Sequence, residues 1–105
     1  MSALEVVLCT APNRDVARTL ARVVVEERLA ACVQLVPGVV SVYRWAGAVQ
    51  EDDEVLMVLK TAADRRAALE ARLLALHPYE VPEVVALEAA HVAPRYLDWL
   101  LAETR

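Results

Sequence analysis

CVQLVPGVVSVYRWAGAVQEDDEVLMVLKT, residues Cys32–Thr61, is the stretch that decides the fold. Valine, leucine and aromatic residues dominate both of its halves, as strands prefer. Ala46-Gly47-Ala48 supplies a turn between them. The stretch therefore reads as two antiparallel strands, Cys32–Trp45 and Val49–Thr61, each well beyond the usual length of about five or six residues. Pro37-Gly38 interrupts the first, which predicts a bulge or kink in place of a continuous ladder. A hairpin of this length reaches past the core of its own subunit.

The flanking sequence supplies the remaining elements. Leu4–Thr10 is almost entirely apolar and predicts a central strand. Asn13 is placed to cap a helix from Arg14 to about Leu29, with Val16, Leu20, Val23 and Val24 as its buried face. After the hairpin, Asp64 is placed to cap a second helix, Arg65 to Leu76, packed through Leu69, Leu73 and Leu76. Val81–Leu87 reads as a fourth strand. Pro82 cannot donate to a ladder, so that strand belongs at an edge or begins there. Pro94 opens a last helix, to about Glu103, that buries Tyr96, Trp99 and Leu100. The order β-α-β-β-α-β-α describes one α+β domain over residues 1–105, a ferredoxin-like sandwich of two helices on one face of a four-stranded sheet.

Composition narrows the function classes. Of the 105 residues, 58% are hydrophobic. That is more than one small core needs, and the surplus predicts contact with further copies of the chain. The net charge of −4 argues against a nucleic-acid partner. Ten scattered arginines and the lone lysine, Lys60, form no polybasic run for a membrane surface. Met1-Ser2-Ala3 leads straight into the first strand without a secretory leader, no apolar run is long enough to span a bilayer, and two cysteines build no disulfide framework. The expected compartment is the cytoplasm.

Six stretches, taken in order, carry a resemblance. They are Val7-Leu8-Cys9-Thr10-Ala11-Pro12, Glu27–Val33, Pro37-Gly38 through Trp45 with Gly47 and Glu54, Lys60-Thr61, His77-Pro78-Tyr79-Glu80-Val81-Pro82-Glu83, and Tyr96-Leu97-Asp98-Trp99-Leu100. Together they resemble the CutA divalent-cation-tolerance proteins over nearly the whole chain. The resemblance implies a ferredoxin-like homotrimer held by its long hairpins, arranged like the PII signalling proteins, with clefts between subunits. It implies a role in divalent-cation tolerance and binding of copper or another divalent cation, with no assigned enzymatic activity. The family's copper-associated cysteine matches Cys9, and the histidine before the Pro-Tyr pair matches His77. The preceding position, a histidine in some members, is Leu76 here.

Thiolate and imidazole suit copper, but two ligands alone close no tight site. Cys9 reads in preference as a buried small apolar residue and His77 as a helix-terminal one. Tyr43, Trp45, Lys60, Tyr79 and Glu83 fall near strand ends or turns and form a candidate small-ligand cleft, lined in a trimer by residues of two chains, or an ion pair that fixes the assembly. Lys60 ends an apolar strand and calls for a carboxylate partner, Glu83 or Glu54. Cys32 reads as a packed core thiol, His91 as a solvated loop residue, and Glu51–Glu54 as a solvated segment. No Cys-x-x-Cys, glycine-rich phosphate loop or catalytic triad is evident, so a binding protein is expected in preference to an enzyme.

Overall fold

In the computed structural model, which describes residues 3–105, the hairpin is the longest feature. Its strands are β2 (Cys32–Trp45) and β3 (Ala48–Ala62). The connecting Ala46 and Gly47 have φ of 51° and 81°, the two left-handed residues of a primed turn that matches strand twist. Between Val36 and Val39 the register shifts around Pro37-Gly38, so Val39 stands opposite Glu54. The hairpin stretches the molecule to 44 Å against 26 and 23 Å in the other directions.

The other strands are β1 (Leu4–Ala11) and β4 (Val85–Glu88), and the sheet order is β2-β3-β1-β4, antiparallel throughout. Two helices, α1 (Arg14–Glu26) and α2 (Arg66–Leu76), cover one face, and α3 (Pro94–Glu103) follows β4. This is the expected α+β, ferredoxin-like arrangement. Met1 and Ser2, on which the leaderless start rests, lie outside the described residues. No described helix is long and apolar enough to cross a membrane.

Side chains alternate across a strand, so the sheet has two different faces. Val7, Cys9 and Ala11 of β1 and Val55, Met57 and Leu59 of β3 pack with Ala17, Leu20 and Val24 of α1 and Leu69 and Leu73 of α2. The opposite face carries Val6 and Leu8 of β1, Leu56 and Val58 of β3, Val36 of β2, and Val85 and Leu87 of β4. Only its end is closed, where Leu100 of α3 packs on Leu4 and Ala62.

Several local expectations are revised. Helix α1 stops at Glu26, three residues early, because Arg28 turns left-handed (φ 60°) and the Leu29 and Ala30 amides donate to the Val24 carbonyl. Its buried face includes Ala17, with Val16 only partly covered. Asn13 caps it as expected, accepting from the Val16 amide at 2.9 Å. Asp64 caps nothing: it lies in a single 3-10 turn, Ala63–Arg65, and binds Arg105 instead. Leu76, Tyr96 and Trp99 remain well exposed, so α2 is anchored by Leu69 and Leu73 and α3 by Leu100. Strand β4 begins four residues later than expected, past Pro82, and lies at the sheet edge.

Candidate functional site

Three segments meet where β1 ends: the last residues of β1, the bulged part of the hairpin, and the 77–83 loop after α2. Alternation along β1 turns Cys9 toward the helices, where it is fully buried. Burial, followed by the carboxylates of Glu83 and Glu54, pushes its thiol from the ordinary 9.0 up to about 12. Its Sγ lies 3.8 Å from the Thr10 carbonyl oxygen.

His77 sits at the C-terminal end of α2, nearly buried. Its Nε2 is 2.8 Å from the same Thr10 oxygen, and its Nδ1 accepts from the Tyr79 amide at 3.1 Å. A carbonyl can only accept and an amide only donate, so Nε2 carries the ring proton. Both nitrogens are thus engaged. Cys9 and His77 converge on one backbone oxygen, and no group of three or more His, Cys, Asp or Glu side chains placed to hold a metal ion occurs among the described residues.

Tyr79 continues the chain of contacts. Its ring lies 4.6 Å from that of His77, and its hydroxyl donates to Glu54 Oε2 at 2.7 Å. Burial and that carboxylate raise the Tyr79 hydroxyl's pKa well above its usual range. Nearby, the Tyr43 hydroxyl donates to Asp52 Oδ2. An open cleft of about 670 Å³ is lined by Tyr43, Trp45 and Tyr79, by Glu54, Glu80 and Glu83, and by Thr10 and Ser41, with no basic side chain among the described residues that line it.

Four of the five residues expected in a cleft between two chains, Tyr43, Trp45, Tyr79 and Glu83, line this one within a single protomer. Lys60 does not. It stands opposite Val6 and Cys32 on the other part of the open sheet face, and its ammonium donates to Gln34 Oε1. Neither expected carboxylate pairs with it. Strand geometry explains this for Glu54, which is six positions along the same strand, about 20 Å away at strand rise.

Cys32 is not a packed core thiol. It is partly exposed, with Sγ 3.2 Å from the Tyr96 hydroxyl, whose pKa that contact pushes up to about 12. His91 is exposed, as expected. Glu54 is the cleft residue that the acidic run concealed. A run of four carboxylates reads as solvated, yet Glu54 is only 9% exposed. The Pro37-Gly38 bulge was the available signal, since it sets what lies across from Glu54.

The CutA1 divalent ion tolerance protein family model matches residues 5–103. The divalent-cation tolerance protein CutA of Thermus thermophilus is 55% identical over 95% of this chain and 97% of its own length. The protein of the same name from Escherichia coli O139:H28 is 45% identical over 95% of this chain and 89% of its own. The crystal structure of CutA from Xylella fastidiosa superposes with a TM-score of 0.96 at 40% identity, covering 99% of this chain and all of that one. A match that runs through the long hairpin, the Cys9 strand and the His77–Glu83 loop alike leaves one conclusion: the chain belongs to the CutA1 divalent ion tolerance protein family.

Proposed function

We propose that this chain serves divalent-cation tolerance, the role its relatives' names carry, as a cytoplasmic homotrimeric binding protein whose working site is the aromatic and acidic cleft. The observation that carries this reading is the convergence of Tyr43, Trp45, Tyr79, Glu54 and Glu83 on one volume. Its size lies within the range of small-ligand sites, roughly 300–1,000 Å³. Binding is favoured over turnover because the two cleft hydroxyls that meet a carboxylate, those of Tyr43 and Tyr79, are both held protonated, their pKa values raised above the usual range. The trimer, arranged like PII proteins, is supported by the apolar sheet face left open in a single chain, where Val36, Val85 and Leu87 are 43–50% exposed. A thermal-shift screen against metabolites tests the cleft, since a ligand of the native state raises the melting temperature by mass action. No shift at millimolar ligand overturns this reading.

A second reading, weak coordination of copper or a similar cation by Cys9 and His77, is favoured by their convergence on the Thr10 carbonyl. A metal there must displace the proton of a thiol raised to about 12 and free Nε2 from its hydrogen bond. With Leu76 offering no third donor, this donor set fits weak binding only. Competition against a chelator of known strength tests it. Copper affinity unchanged in Cys9→Ser and His77→Ala removes the site.

A further inference from the structure

We infer that the cleft takes a small organic cation, an ammonium or guanidinium group on an apolar stem, with Glu54 as its counter-ion. This rests on the cleft being the working site and names the ligand class for it.

Glu54 is nine-tenths buried and borders the cleft. Its Oε2 accepts from Tyr79, its Oε1 accepts no hydrogen bond, and it forms no ion pair among the described residues. A carboxylate largely withdrawn from water is costly unless it is paired, and a cation bound at its open oxygen relieves that cost. Glu80 and Glu83 add negative charge to the same lining.

The walls select the kind of cation. Tyr43, Trp45 and Tyr79 offer aromatic surface, which attracts a weakly hydrated organic cation through the ring quadrupole. Both tyrosine hydroxyls already donate to carboxylates, Tyr43 to Asp52 and Tyr79 to Glu54, so neither is available to an anionic ligand. The volume of about 670 Å³ holds a ligand of many atoms, far larger than a bare ion. Anionic metabolites meet a lining with three carboxylates and no base.

The test titrates the 105-residue chain, in a Trp99→Phe background, with benzyltrimethylammonium while Trp45 emission is followed. Benzyl alcohol and benzoate serve as neutral and anionic counterparts. The expected result is saturable quenching by the ammonium at millimolar concentration or below. Benzyl alcohol binds more weakly and benzoate not at all. Glu54→Gln weakens the ammonium roughly tenfold, and the exposed Glu83→Gln, which keeps the proposal testable if the Glu54 variant does not fold, about two- to threefold. No saturation by about 10 mM ammonium, or affinities unchanged in both variants, overturns the inference. If benzyl alcohol or benzoate binds as well as the ammonium, the cation class falls while the cleft stands as a ligand site. If none of the three binds, as when a basic side chain of a second copy fills the cleft, the cation class falls, and the metabolite screen then decides whether the cleft stands.

Discussion

One strand, β3, faces two environments. Val55, Met57 and Leu59 point into the helix-covered core and are at most 4% exposed. Leu56 and Val58, between them, are just as apolar yet only partly covered. Covering a strand on both sides with its own helices would make the whole run core. Here α1 and α2 cover one side, and α3 closes only the end of the other. The difference teaches that apolar residues can be identical in type and opposite in setting: one set packs into the core, the other is left open in the single chain. The distal hairpin extends this second condition, with Val40, Val42 and Val49 58–64% exposed.

The largest effect belongs to the covered side. Met57→Ala removes a fully buried side chain and leaves a cavity between sheet and helices, so urea denaturation should show a loss of about 2–5 kcal/mol. A loss under about 1 kcal/mol would mean that the two faces are not distinct.

On the open side, Val58→Asp should leave the circular dichroism of the fold in place while preventing assembly. Light scattering should then give 11.6 kDa in place of a multiple of it. An assembled Val58→Asp protein would move the proposed subunit contact elsewhere.

The third expectation is a pH dependence on the covered face. The Cys9 thiol titrates near 9.0 when unfolded and about 12 when folded. Folding therefore favours the protonated form: its contribution is complete below pH 9 and is lost as pH rises toward 12. The urea midpoint of the parent should fall more steeply between pH 8.5 and 10.5 than that of Cys9→Ala. Parallel slopes would show that Cys9 is less enclosed than the covered face requires. The smallest effect lies on neither face. Asp64–Arg105 is a 2.8 Å pair in open solvent at the start of α2, and Asp64→Asn should shift the urea midpoint by no more than its error.

Much of this comparison was legible in the sequence, because it follows from period and punctuation. The alternation in Leu56-Met57-Val58-Leu59 was invisible, however, since a run of apolar residues carries no period-two signal. The same holds for the site. Tyr43, Trp45, Tyr79 and Glu83 were legible as a group from their places at strand ends. Lys60 was misassigned to them because spacing along a strand says nothing about what lies alongside in the next one. Glu54 was misread as solvated because its burial depends on Tyr79, 25 residues away, folding over it.

By itself, the sequence determined the elements, their order, the overlong hairpin with its bulge and turn, and membership of a family. Each depends on local chemistry: side-chain period, proline's missing N–H, an asparagine cap. Tertiary structure alone decided which face of the sheet α1 and α2 cover, that Asp64 binds Arg105 and caps nothing, that Cys9 and His77 meet at the Thr10 carbonyl, and that Glu54 is buried beneath Tyr79. Those facts depend on which distant residues exclude water from a group, and solvent exclusion is set by the packed chain as a whole.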